Sequence, residues 1–112
     1  MLVNRLALIL HPKQPFVDWV NSLDSDEFNL TLEQANDDLT IHLIHEIEPD
    51  QYESGIKANW KFLFEEHLHN WYTDEAMWPQ KRTYAMFREW FDVTFHSMIE
   101  DLIDEPLEKE ED

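Results

Sequence analysis

Phe91-Asp92-Val93-Thr94-Phe95-His96-Ser97-Met98-Ile99-Glu100-Asp101-Leu102 is the stretch on which the fold class turns. Two periods fit it. Phe87, Phe91, Phe95, Met98 and Leu102 recur at intervals of three and four, the spacing of a helix continued from upstream. Val93 and Phe95, with Thr94 between them, alternate as a strand does, and a bulge near Ser97 would return the remainder to register. The rest of the chain tips the balance. It offers two other strands, and two alone are marginal in water, whereas a third makes an independent sheet. The reading adopted is a strand over 93–102. The expected fold is α+β, a small three-stranded sheet packed against helices in one domain over 1–103.

Upstream, Arg5 to Leu10 is a short apolar run closed by Pro12, a length that suits a buried strand. Pro12-Lys13-Gln14-Pro15 turns the chain. Phe16, Val17, Trp19, Val20 and Leu23 then share one helical stripe over 15–23, with Pro15 in the first turn, and Asp24-Ser25-Asp26 breaks the helix. Thr31 and Gln34 form a capping box for a short helix to about Asn36. Leu39 to Ile47 alternates as a second strand. Asp50 and Glu53 read as a further capping box, opening the longest helix, which Tyr52, Ile56, Trp60, Leu63, Phe64, Leu68 and Trp71 carry to about Tyr72. Thr73-Asp74-Glu75 caps a single turn that stops at Pro79. Thr83 caps another helix bearing Tyr84, Phe87, Trp90 and Phe91 on one side.

Composition narrows the chemistry. The 112 residues include fifteen aromatics (five Trp, three Tyr, seven Phe), enough for a dense core. A single Gly excludes Gly-rich phosphate loops and dinucleotide fingerprints. The absence of Cys excludes disulfides, thiolate zinc sites, iron–sulfur clusters and cysteine nucleophiles. Twenty-five Asp and Glu against eight Lys and Arg give a net charge of −17, which repels nucleic-acid phosphates and anionic membranes. The apolar N-terminal run is too short for a signal peptide core, and no apolar run spans a bilayer. The expected setting is the cytoplasm. Asp104 to Asp112 holds six acids and one Lys and reads as a solvated, flexible tail.

Six His supply the candidate ligands. His42 and His45, three apart on a strand, point to opposite faces and cannot share a metal without a bulge. His67 and His69, two apart on a helix, also diverge. Glu65 and Glu66 each share a face with His69, so a metal or small-ligand site, possibly of an enzyme, would draw on His67, His69, Glu65 and Glu66. That is half a site, because a carboxylate-rich centre needs more convergent ligands. No nucleophile elbow, HExxH or activated Ser is present, and neither a catalytic residue nor a cofactor is expected. Pro12-x-x-Pro15 matches the minimal polyproline pattern but reads more simply as a rigid connection.

Trp71-Tyr72-Thr73-Asp74-Glu75-Ala76-Met77-Trp78-Pro79 is the most unusual segment. Its aromatics either plug the core or form an exposed anchor, and Trp and Tyr are frequent interface residues. On the second reading Tyr72 and Trp78 anchor a partner while Asp74 and Glu75 supply rim charge. The leading function is therefore a non-enzymatic interaction module that binds a basic protein or a second copy of itself. The alternatives are the metal or ligand site above and a nucleic-acid mimic, whose carboxylates would need to be spaced like phosphates.

Lys13 to Leu23, Trp71 to Pro79, Arg82-Thr83 and Glu89 to Leu102 together resemble a family of short acidic bacterial proteins of unknown function. The resemblance covers most of the chain and is least distinctive over 24–70. It implies a bacterial source and an intact single domain. Members carry β-branched residues in the segment matching Phe91 to Leu102, which favours the third strand. No activity, cofactor or catalytic residue is assigned to that family, so the resemblance transfers none.

Overall fold

Leu6–Pro12 forms β1, the central strand, whose Leu6, Leu8, Leu10 and Pro12 are buried on one face while Ile9 and His11 on the other are half-buried. A computed structural model describes residues 1–23 and 29–110. The helix break expected at Asp24 to Asp26 lies outside the described residues. In chain order the other elements are α1 (Gln14–Leu23), α2 (Leu32–Ala35), β2 (Ile41–Ile44), α3 (Tyr52–Trp71), α4 (Tyr84–Trp90) and β3 (Phe91–His96). Short 3-10 turns at Pro49–Gln51 and Glu75–Met77 precede α3 and α4. The fold is α+β, with a three-stranded antiparallel sheet in the order β2-β1-β3.

Register and alternation sort the sheet into two faces. Leu8 lies opposite His42 on one side and Phe95 on the other, and Leu10 lies opposite Val93. Leu6, Leu8, Leu10, His42, Ile44, Phe91, Val93 and Phe95 therefore share the face that meets the helices. The core is closed there by Phe16, Val17 and Val20 of α1, by Ile56, Leu63, Phe64 and Leu68 of α3, and by Phe87 of α4. Phe64 sits at its centre, with rings of Phe87, Trp90 and Phe91 5.4–5.8 Å away and tilted or edge-on to it. On the opposite face stand Ile9, His11, Ile41, Leu43, Asp92, Thr94 and His96, and His11 Nε2 lies 2.8 Å from Thr94 Oγ1.

The third strand is present, and it starts earlier and stops sooner than 93–102. Chain direction switches at Phe91 with no intervening loop: α4 ends at Trp90, and Phe91 is extended (φ −139°, ψ 139°). The helical period ends there because Phe91, Val93 and Phe95 bury one face while Asp92, Thr94 and His96 take the other. The regular ladder ends at His96 and pairing resumes at Leu2 with Glu100, tied by Val3 N–H to Ile99 O (2.7 Å) and Asp101 N–H to Met1 O (2.9 Å). Four residues separate Leu2 from Ala7 and three separate His96 from Glu100, so the extra residue is on the N-terminal strand. The bulge is thus at the Asn4–Arg5 bend and not near Ser97.

Two other boundaries differ. β2 covers Ile41–Ile44, not 39–47, because β1 supplies partners only from Leu6 to Ile9. Beyond it the chain bends against α3, where a Cβ on Gly55 would stand 2.8 Å from Ile47 Cδ1. The long helix begins at Tyr52, and Asp50 and Glu53 do not cap it. Gln51 Oε1 instead accepts from Glu48 N–H at 3.0 Å, ahead of the helix. Glu53 is taken by Tyr84 O–H (2.6 Å) and Arg88 Nη1 (3.0 Å). The Thr31–Gln34 box and the Thr83 and Asp74 caps form as expected.

Candidate metal centre

Every inward position of β2 faces the core layer, and one of them is His42, directly opposite the fully buried Leu8. Across from it α3 presents Glu66 and His67. The His67 side chain turns back along the helix, and its Nδ1 lies 3.0 Å from Leu63 O, four residues earlier. That contact assigns the proton to Nδ1 and leaves the lone pair on Nε2. The ring stands edge-on to Phe91 at 5.3 Å and 5.9 Å from the His42 ring. His42 Nε2 lies 3.8 Å from Glu66 Oε1.

One ligand atom each from His42, Glu66 and His67 lies within 4.8 Å of the other two. Two ligands about 2.0–2.1 Å from one tetrahedral ion stand about 3.3 Å apart, so small side-chain rotations close the set around a metal. His42 Nε2 is shut off from solvent and, among the described residues, has no hydrogen-bond partner. At 3.8 Å the Glu66 carboxylate is too far to satisfy it.

Electrostatics keep both imidazoles in the ligand form. Burial drives the His67 pKa down to about 4, against the hydrogen bond that its ring donates to the Leu63 carbonyl and helped by the neighbouring His42. Burial also lowers the His42 pKa, opposed by the Glu66 charge. Both rings are neutral at pH 7, and a neutral imidazole beside a carboxylate is a donor set for a borderline divalent ion. Glu66 opens onto a hollow bounded by Phe62, His69 and Trp78, and His67 onto another bounded by Asp37, Asp38 and Trp71.

The structure redraws the set His67, His69, Glu65 and Glu66. His67 and Glu66 converge. His69 is exposed on another side of α3, with its ring edge toward Trp78 at 6.5 Å. Glu65 is held by Arg82 Nη2 at 3.2 Å. His42 completes the group instead. His45 is exposed and stands apart from it. Alternation along β2 placed His42 and Ile41 on opposite faces without showing which face is buried, and no local pattern ties position 42 to position 67.

Within the aromatic segment it is Trp78 that packs inward. Trp78 is 7% exposed, and its Nε1–H donates to Tyr72 O at 2.7 Å. The Arg82 guanidinium lies 5.5 Å from its ring centroid. Trp19 Nε1–H ties the segment from α1 through Met77 O at 3.1 Å. Trp78 is thus a core residue and offers no surface anchor. Tyr72 is half-buried, whereas Asp74 and Glu75 are exposed, and Asp74 Oδ1 accepts from Ala76 N–H at 3.0 Å. Trp71 and Met77 are the large side chains of the segment that reach solvent.

Comparison with protein-family models, with curated proteins and with solved structures finds no match.

Proposed function

We propose that this protein binds a divalent transition metal of the Zn²⁺ class through His42 Nε2, His67 Nε2 and a Glu66 carboxylate oxygen. The observation that carries this reading is the enclosed, unpartnered His42 Nε2 facing a second neutral imidazole and a carboxylate. Two nitrogen donors and one oxygen disfavour Mg²⁺ and Ca²⁺, which take oxygen ligands. The Leu63 carbonyl orients His67, as an outer-shell partner does in metal sites. Three protein ligands leave a fourth position for water or a small ligand.

The test is metal content by elemental mass spectrometry after equilibration with Zn²⁺ and desalting, paired with calorimetric titration. One ion per chain is expected, lost in His42→Ala and Glu66→Gln and kept in His69→Ala. Equal binding by all four proteins would assign the metal to scattered surface acids and overturn the reading.

Contact with a basic protein partner is a second reading. The charge of −17 and the exposed pair Asp74 and Glu75 favour it. Neutralising both, as Asp74→Asn with Glu75→Gln, should weaken capture of a basic protein at low salt. Capture at undiminished strength would remove these two residues from the interface.

A further inference from the structure

β2 is an edge strand. Among the described residues, β1 covers one side of it and the sheet ends on the other. Natural edges are blunted by charge, proline or a bulge. The β3 edge carries Asp92, within 4.0 Å of Lys13 Nζ. Leu39-Thr40-Ile41-His42-Leu43-Ile44-His45 contains no acid, no Lys or Arg, no Pro and no Gly, in a chain where 29% of residues are charged. Its outward side chains are apolar and open, with Ile41 59% and Leu43 45% exposed.

The occupant of such an edge is limited by charge. A basic partner is drawn to the acids and finds no counter-charge on this strand. An uncharged apolar strand fits it, and the chain itself carries one. Two copies brought together across the acid-rich segments that follow Val17 meet like charge against like charge. At β2 they meet along uncharged strips.

We propose that β2 pairs antiparallel with β2 of a second copy about a two-fold axis, joining the two sheets edge to edge. Parity restricts the register. Opposed residues must project to the same face, so the positions of each pair sum to an even number. A sum of 84 would set Asp38 opposite Glu46 of the partner copy, a repulsive pair. A sum of 86 sets Glu46 opposite Thr40 and Leu43 opposite its own symmetry mate, and moves the meeting of acids out to Asp38 and Glu48, five positions from the axis instead of four. The second register is the one assigned. It aligns Leu43 with Leu43, flanked by Ile41 and His45, on the exposed sheet face. This pairing does not rest on the metal reading.

Because the chain has no Cys, a single introduced thiol reports the register. Directly opposed residues have Cα atoms about 4.5–5.5 Å apart, within disulfide range. In chelator, Leu43→Cys should oxidise to a covalent dimer about tenfold or more faster than Leu102→Cys, whose host residue is 85% exposed and follows β3, which β1 separates from β2 in the sheet. Light scattering of the unmodified chain should show mass rising from 13.6 kDa toward twice that with concentration. Leu43→Lys, at a solvent-facing position, should keep the fold and raise the dimer dissociation constant about tenfold or more. A monomer at every concentration, with the two Cys variants oxidising equally slowly, would overturn the proposal. So would a dimer that Leu43→Lys leaves intact.

Discussion

Replacing His67 by Gln should remove a pH-dependent loss of stability from the metal-free protein. At pH 7 the folded and unfolded chains both hold this imidazole neutral, so its depressed pKa contributes nothing there. Below the unfolded value of 6.5 the unfolded chain takes a proton that the folded chain refuses down to about 4. Stability present above 6.5 is therefore lost as pH falls, and the loss levels off below the folded value. Linkage gives a deficit of about 1.5 kcal/mol at pH 5.5 and about 2.5 kcal/mol at pH 4.5. The groups facing His67 are the His42 ring, the Leu63 carbonyl, the Phe91 ring and the Glu66 carboxylate, with Asp37 and Asp38 bounding the hollow it opens onto. They are present in both proteins, and the twenty-five carboxylates titrate in both. The difference between the two stabilities thus isolates position 67. The assay is urea unfolding in chelator at several pH values between 7 and 4.5, read by Trp fluorescence. Wild type minus variant should shrink by about 2.5 kcal/mol across that range. A difference that stays constant within about 0.5 kcal/mol would refute the reasoning, because His67 would then titrate as it does in the unfolded chain.

Trp78→Ala should cost about 3–5 kcal/mol, a large part of the roughly 6–17 kcal/mol expected for a domain of this size, measured by thermal or urea unfolding. A loss under about 1 kcal/mol would return Trp78 to the surface and restore it as an anchor. Gly55→Ala adds helix propensity worth about 0.5–1 kcal/mol and crowds the tip of Ile47, with Ile44 Cδ1 in ordinary contact at 4.0 Å, so a net gain near 0.5 kcal/mol is expected. Destabilisation beyond about 1 kcal/mol would show that Ile47 cannot move.

What the sequence disclosed and what it withheld divide by range. The Thr31–Gln34 box, the Thr83 cap and the Asp74 turn were legible because each is a contact within three residues. The third strand was legible because Val93, Thr94 and Phe95 alternate, though its start at Phe91 was hidden by a helical stripe running through Phe87 and Phe91. The Asp50–Glu53 box failed because two nearby carboxylates satisfied the pattern. Gln51 took the role ahead of the helix, and Tyr84 and Arg88, more than thirty residues on, claimed Glu53. His42 was missed for the same reason in stronger form. Its partners lie more than twenty residues away on α3, and only the β1 register decides that it faces inward.

That inward histidine is itself an argument. Opposite Leu8, an aliphatic side chain would pack without a polar atom to satisfy, whereas His42 buries Nε2 unpaired. An unsatisfied buried donor or acceptor costs about 1–3 kcal/mol. Local choices that conflict with the fold concentrate at functional sites, where stability is given up for a task. The claim is separable from folding by His42→Leu. In chelator the variant should be at least as stable as wild type, by up to about 1–2 kcal/mol after allowance for the change of shape. In excess Zn²⁺ the order should reverse, since wild type gains about 2.7 kcal/mol at a hundredfold excess over its dissociation constant and the variant gains nothing. Unfolding curves for both proteins, with and without the ion, form a closed cycle. If His42→Leu is the weaker protein in chelator, His42 is a packing residue and the metal reading loses its motive. If the two proteins gain equally from Zn²⁺, the ion is bound elsewhere.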